Sequence, residues 1–299
     1  MRATIQLCTY NRAGLLDRVL DACFEQTVDD DAYEVVLVND GSTDATPAVI
    51  ERARARATCA FVTIDQRNAG LAAGRNAGIA RARGERIIFI DDDVLPLPNF
   101  VEAHLASHER HPLAIVRGAA INVESFDDLP PPVWSPVQYS ANYFWTTNVS
   151  VPLETLRAVG GFNESFSEYG WEDIDVGLRL RFAGVRAVFD PRALVYHYKP
   201  RARAENVDGM VRQARAQART AVQLARLHPH WRTYLATGNY LAARMLHRAI
   251  RAAGAPERCR RVLAELTPDG ALCDAEVRAA RRLAKEAYFE ELERARTAT

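Results

Sequence analysis

Three consecutive aspartates, Asp91-Asp92-Asp93, follow the apolar run Ile87 to Ile90. Adjacent carboxylates repel one another unless a cation sits among them. Oxygen ligands of this kind suit Mg²⁺ or Mn²⁺ bridging to substrate phosphates. A solvated turn would also accommodate the triple, but its place at a strand exit favours the metal. The hexapeptide Gly170-Trp171-Glu172-Asp173-Ile174-Asp175 sets three acids beside Trp and Ile. That is poor core and an odd solvated loop. A carboxylate there can take a proton from an attacking hydroxyl, beside an aromatic face that stacks on a sugar ring. The plainer alternative has Glu172 and Asp173 capping a helix that begins near Ile174, with Trp171 in the core. Both can hold, with different acids in each role.

Other segments carry weaker signals. Asn39-Asp40-Gly41-Ser42 is either a strand-to-helix turn with a capping side chain or a carboxylate that accepts hydrogen bonds from a nucleobase. Asn68 to Asn76 opens a helix, and Gly70 and Gly74 permit close backbone approach near an anion-favouring helix N-terminus. It lacks the Gly-Lys-Ser/Thr ending of a P-loop. His197, in Val195-Tyr196-His197-Tyr198, follows a late strand and is a metal ligand only if the chain folds back on Asp93.

These groups need elements to hold them. Ala3 to Thr9, Tyr33 to Asn39, Ala60 to Ile64 and Arg86 to Ile90 read as strands. Between them lie helical stretches: Asn11–Gln26, with apolar Leu15, Leu16, Val19, Leu20 and Phe24, a segment ending near Arg56, and residues 71–83. Alternation of this kind predicts a parallel sheet with helices on both faces. Ligands then bind beyond the carboxyl ends of the strands, where Thr9, Asp40, Asp65 and the Asp triple fall. A helix over 99–111 and strands within Ala114–Val123 and Val185–Val195 follow. The Pro- and aromatic-rich stretch Glu124–Tyr143, with Trp134 and Tyr139, has no period and reads as a functional loop. After Pro200 the chain is helical, ending with a helix near 275–296.

The 299 residues are 48% hydrophobic and 25% charged, which excludes a disordered chain, a collagen-like repeat or a disulfide-knotted miniprotein. Five scattered cysteines form no CxxC pair and read as reduced thiols. There is no long uncharged apolar run for a membrane span and no signal-peptide pattern at the N-terminus. Together these predict a cytoplasmic protein. The net charge of zero hides an asymmetry: residues 1–200 hold 19 basic and 27 acidic side chains, residues 201–299 hold 19 and 11. The acidic segment suits a divalent cation. The basic one, with Arg212, Arg215, Arg219 and Arg226 in a stripe beside an apolar helix face, is either a solvated face or a contact for an anionic membrane surface or lipid-linked phosphate. An apolar face on the tail could also support a homodimer. A nucleic-acid partner is disfavoured, because the basic part is Ala-rich and poor in aromatics.

Seven segments occur in order: YNR at 10–12, VNDGSTD at 38–44, NAGLAAGRNAGI at 68–79, FIDDDVLP at 89–96, TNVSVP at 147–152, GGFNESF at 160–166 and GWEDIDVGLRLR at 170–181. Over residues 3–200 the chain resembles the family 2 glycosyltransferases. The resemblance implies an α/β GT-A fold, a Rossmann-like nucleotide-binding sheet flanked by helices. It implies a catalytic domain over 1–200, with a nucleotide-binding half 1–93 and an acceptor-binding half 94–200. Residues 201–299 form a helical C-terminal extension.

By the same resemblance, a sugar passes from a nucleoside diphosphate (UDP, GDP or dTDP) to a hydroxyl of a glycan, lipid-linked or small-molecule acceptor. The anomeric centre would be inverted. Thr9, Tyr10, Arg12, Asp40, Asn68, Gly70, Arg75, Asp91 and Asp92 would bind the donor nucleotide. Asp93 and His197 would hold Mn²⁺ or Mg²⁺, and Asp173 would be the general base. Trp171, Glu172 and Asn148 would line the acceptor and donor-sugar pocket. No QxxRW motif and no transmembrane run are present, so a non-processive enzyme is expected. The competing readings are an inactive nucleotide-sugar-binding or scaffold protein and a retaining transferase. A sugar-1-phosphate nucleotidyltransferase is disfavoured by the missing N-terminal Gly-rich pyrophosphate loop.

Overall fold

The computed structural model describes residues 1–136, 142–264, 266 and 270–297. The chain divides into two units, Met1–Ser167 with Glu172–Pro200, and Glu168–Trp171 with the chain from Arg201 onward. The four residues 168–171 therefore group with the helices, where the sequence suggests a single boundary at 200.

The first unit is built on an eight-stranded mixed sheet of order β3-β2-β1-β4-β7-β6-β8-β5. Its first half alternates as expected: β1 (Ala3–Thr9), α1 (Ala13–Phe24), β2 (Tyr33–Asn39), α2 (Thr46–Arg54), β3 (Ala60–Asp65), α3 (Leu71–Arg81) and β4 (Arg86–Phe89). These four strands are parallel neighbours, with Thr9 paired to Asn39 and Asn39 to Asp65 at their carboxyl ends. Every residue of β2 is buried, which explains its unbroken apolar run. Its one charge, Glu34, accepts hydrogen bonds from Thr4 Oγ1 at 2.8 Å and from Arg83 Nε at 2.9 Å. A buried carboxylate needs such partners.

The second half departs from a parallel sheet. β5 (Val94–Pro96), α4 (Phe100–Arg110), β6 (Ile115–Val123), β7 (Val149–Pro152), α5 (Leu153–Ala158), α6 (Glu172–Phe182) and β8 (Ala187–Tyr198) follow. β7 runs antiparallel between β4 and β6, and β5 antiparallel to β8. Both β5 and β7 are too short to show a period in sequence. His197 lies inside β8, not after it. Of the loop 124–143, the described residues form no α-helix or strand, and Tyr139 lies outside them.

β6 and β8 approach closely where their register shifts between Arg117 and Ala119. A Cβ on Gly118 would lie 2.1 Å from Ala193 O and 2.4 Å from the Asn148 amide. Gly118→Ala is therefore expected to cost about 3 kcal/mol, read as a lowered Tm; an unchanged Tm would show that this crossing yields freely.

The second unit comprises α7 (Asn206–Leu227), α8 (Trp231–Thr237), α9 (Leu241–Ala252), α10 (Ala255–Leu263) and α11 (Asp274–Thr297). Ala218, Ala221 and Val222 of α7 meet Phe289 and Leu292 of α11 in its core. Arg219, from the basic stripe, is held by Glu168 and Glu291 and so is neutralised inside the unit.

Candidate active site

The carboxyl ends of β1, β2 and β4 open onto one side of the sheet, and the acids expected there gather on that side. Asp40 accepts from Gln66 Nε2 at 2.7 Å, Ala69 N at 2.9 Å and Gly70 N at 2.9 Å. A carboxylate has about four acceptor positions; three here tie the β3–α3 loop to the end of β2. That structural use leaves Asp40 little capacity for a nucleobase and qualifies its expected role. Gly41 has φ +80°, and a Cβ there would stand 2.7 Å from Asn68 N, so only glycine lets this loop close. Asn68 is exposed and Gly70 caps α3 at φ +88°. Tyr10 is half-exposed on the β1–α1 turn.

Beside this, Thr9 Oγ1 donates to Asp92 Oδ2 at 2.8 Å. Arg12 Nε lies 3.5 Å from Asp92 Oδ1, and its Nη2 lies 3.9 Å from Asp93 Oδ2. Burial pushes Asp92 up to about 6 against the pull of Arg12. Thr9 and Arg12 are thus positioned by the Asp triple, with the Arg12 side chain still half-exposed and able to meet an anion.

The antiparallel register brings His197 to the triple. Val94 pairs with His197, and Tyr198 N donates to Asp93 O at 2.9 Å. His197 Nε2 then stands 3.4 Å from Asp93 Oδ1. Ligand atoms of Asp91, Asp93 and His197 lie within 4.8 Å of one another. Asp93 Oδ1 and His197 Nδ1 are buried without a well-formed hydrogen bond. Buried polar atoms are seldom left so. A carboxylate–imidazole set with an orphaned oxygen fits a divalent cation. His197, Arg12 and Lys199 together hold the Asp93 carboxyl below its ordinary value despite burial.

The family resemblance puts Asp91 at the donor nucleotide. It also belongs to this cluster, and it accepts from Thr147 Oγ1 at 2.8 Å. Arg75, expected near the nucleotide, is instead buried: Nη1 donates to Glu172 Oε1 at 2.9 Å, Nη2 to Thr146 Oγ1 at 2.8 Å and, longer, to Asp91 Oδ1 at 3.4 Å. Its guanidinium also lies 5.2 Å over the Phe162 ring. Arg75 therefore joins the Asp triple to the start of α6.

Glu172 and Asp173 open α6, the favourable end of a helix for carboxylates. Asp173 Oδ1 accepts from Ile174 N at 2.7 Å, which is the helix-start alternative. Among the described residues Asp173 forms no ion pair. Burial and then the neighbouring Glu172 charge raise its carboxyl well above the usual range, against Arg75, which lowers it. A carboxylate so placed is a stronger base than one in water.

Two of the expected pocket residues are placed differently. Asn148 is fully buried and its amide is fully engaged: Oδ1 with His104 Nε2 at 3.0 Å, Nδ2 with Ala119 O at 2.9 Å and Ala193 O at 2.8 Å. It clamps β6 and β8 instead of lining a pocket. The site residues of that segment are its neighbours Thr146 and Thr147, whose hydroxyls lie beside or within the same motif and carry no distinguishing signal in sequence. Trp171 sits at φ +72°, a strained conformation for its type, and its indole N–H donates to Gln217 O at 2.7 Å. It lines a cavity of about 520 Å³ within the helical unit.

Residues 4–169 match the model of glycosyl transferase family 2. The chain belongs to this family. The family 2 chain is 30% identical over 218 residues to a validoxylamine A glucosyltransferase of Streptomyces hygroscopicus subsp. jinggangensis, covering 61% of this chain and 52% of the relative. It is 24% identical to the chondroitin synthase of Pasteurella multocida, covering 69% and 25%. The chain thus spans about half the length of the curated glucosyltransferases it matches. Among solved structures, a mannosyltransferase from Pyrobaculum calidifontis in complex with GDP-mannose and Mn²⁺ superposes with a TM-score of 0.63 at 19% identity, covering 98% of this chain and 86% of that one. Residues 1–349 of S. aureus TarS in complex with UDP superpose at 0.57 and 17%, covering 100% and 92%. These likenesses show the GT-A fold. The family 2 chain has that fold, with a helical C-terminal region.

Proposed function

We propose that the chain transfers a sugar from a nucleoside-diphosphate donor to an acceptor hydroxyl, with inversion and with Asp173 as general base. The observation that carries this reading is the separation of two carboxylate roles. Asp91, Asp93 and His197 share one cluster, in which Asp93 Oδ1 lacks a well-formed hydrogen bond. Asp173 stands outside it, with a raised proton affinity and no ion pair among the described residues. Glu172, tied to Arg75, is the poorer base candidate.

In the step, the acceptor oxygen bonds to the anomeric carbon as the bond to the diphosphate oxygen breaks. The acceptor proton passes to Asp173. Asp93 and His197, with Asp91, would hold Mn²⁺ or Mg²⁺. When bound, that dication supplies neutralisation of the charge on the leaving diphosphate. Arg12 adds a cation on the same side. Thr9, Tyr10, Asn68 and Asp92 remain proposed donor contacts. Relatives described with GDP-mannose, UDP and UDP-GlcNAc support a nucleotide-sugar donor, and a glucosyltransferase relative supports a hexose. No helix among the described residues is long and apolar enough to cross a membrane. Peripheral contact with a membrane through the basic helices completes the reading.

The decisive experiment is a thermal-shift panel of UDP, GDP and dTDP, each with and without Mn²⁺, on wild type and Asp93→Ala. Ligand binding to the folded chain raises its Tm. One nucleotide is expected to raise Tm only with metal, and Asp93→Ala to lose that shift. No shift under any condition would move the chain to an inactive binding or scaffold role.

A further inference from the structure

α9 is amphipathic, and it packs with its polar side inward. Arg244, His247, Arg248 and Arg251 recur at three- and four-residue spacing and so share one face. That face meets α11. His247 is buried with Nδ1 2.9 Å from Glu286 Oε1, and its ring stacks on Phe289 at 3.7 Å. Arg248 Nε donates to Glu293 Oε1 at 2.7 Å.

The opposite face carries Leu241, Ala242, Met245, Leu246, Ala249 and Ala252, all exposed. Leu241 is 65% exposed, Met245 and Leu246 58% each. Surface helices ordinarily bury this stripe. The apolar surface continues through Tyr240 and Leu235, which with Leu246 line the cavity of about 520 Å³. One turn before Leu235 on α8 stands Trp231, also exposed, with Arg232 stacked 4.3 Å over its ring.

Charge selects the occupant. Residues 231–263 hold seven arginines and one acid, Glu257. Among the described residues Arg232, Arg244, Arg251 and Arg261 form no ion pair. A second copy would bring the same cationic patch against itself, since a two-fold interface pairs like with like. An anionic bilayer meets both features. Leu and Met enter the boundary between headgroups and acyl chains, Trp and Tyr sit at headgroup level, and arginines face lipid phosphates.

We propose that α8 and α9 form an interfacial docking surface for an anionic lipid bilayer. The inference rests on the peripheral-contact part of the reading above, and moves that contact from the α7 stripe to the exposed α9 face. It is independent of the transfer chemistry.

The test is flotation of the full chain with vesicles of phosphatidylcholine alone or mixed with phosphatidylglycerol. Wild type is expected to float only with the mixed vesicles, less at high salt. The triple variant Leu241→Ser, Met245→Ser, Leu246→Ser removes exposed side chains, so the fold should persist, checked by circular dichroism and by its Tm. It is expected to bind at least tenfold more weakly; Arg232→Ala, beside the exposed Trp231, with Arg261→Ala should weaken binding severalfold. Wild type that floats with neither vesicle, or a triple variant that floats like wild type, overturns the proposal. A wild-type dimer that the triple variant dissociates, with no flotation, assigns the face to a second copy and overturns it too. Nucleotide thermal shifts on the same samples separate the two readings: shifts without flotation sink this inference alone, and flotation without shifts sinks the donor reading alone.

Discussion

Asp173→Asn is expected to lower kcat by roughly 10²–10⁴, the usual contribution of a general base, while nucleotide thermal shifts stay intact. Asparagine keeps the oxygen that accepts from Ile174 N, so the start of α6 is preserved. The same variant should be more stable than wild type in alkaline solution. The folded-state proton affinity of Asp173 is raised, so the folded chain binds this proton more tightly than the unfolded one. No penalty exists below the ordinary carboxylate value near 4. It grows as pH rises through the raised folded value and is complete above it. Removing the ionisable group should therefore leave Tm nearly unchanged at pH 4 and raise it at pH 8, by roughly 1–3 kcal/mol of stability. In wild type, the acid limb of the kcat/KM profile should lie above the ordinary carboxylate value. A variant that retains transfer, or whose stability gain is the same at both pH values, would remove Asp173 from the role of base.

Arg75→Met is expected to cause the largest loss of stability in the first unit, on the order of 3–5 kcal/mol. The reason is what stays behind. Glu172 and Asp91 would lose their buried cation, and Thr146 its donor. Asp173 would lose the arginine that lowers its proton affinity. Adding Glu172→Gln to Arg75→Met should restore part of the loss, because one stranded charge is then gone. Arg75→Lys should rescue poorly, since an ammonium cannot reproduce the planar fork that meets Glu172 and Thr146 together. Urea denaturation of the four proteins measures these differences. Equal stability of Arg75→Met and wild type would show that the bridge is incidental.

Much of the site is legible in the amino-acid sequence. β1 to β4 show clean strand patterns separated by helix patterns, and parallel crossover topology sends their carboxyl ends to one side. That alone places Thr9, Asp40 and the Asp triple together. Seven motifs in order then indicate the family, and with it the roles assigned to Asp93 and Asp173. The cluster of Asp91, Asp93 and His197 also follows from sequence in part, because His197 is a candidate on condition that its strand folds back.

Other assignments depend on contacts that spacing does not encode. Arg75 sits in a motif beside an anion-favouring helix start, yet its guanidinium turns inward, because Glu172, distant in sequence, arrives beside it. Asn148 follows Thr146 and Thr147 in the turn that leads into β7, and only the packing of that turn shows that its amide is buried against Ala119 and Ala193 while the two hydroxyls meet Arg75 and Asp91. Burial of Asn148 between β6 and β8 follows from their close approach at Gly118. The inward polar face of α9 is a further case, since periodicity reveals an amphipathic helix but not which side meets α11. The sequence by itself determined the alternating elements of the first half, the sheet's chemistry-bearing end and the family, because periodicity, capping and motif order are local. The tertiary structure alone decided which charges pair, which amide is a clamp and which apolar face is left to solvent, because these depend on register between segments far apart in the chain.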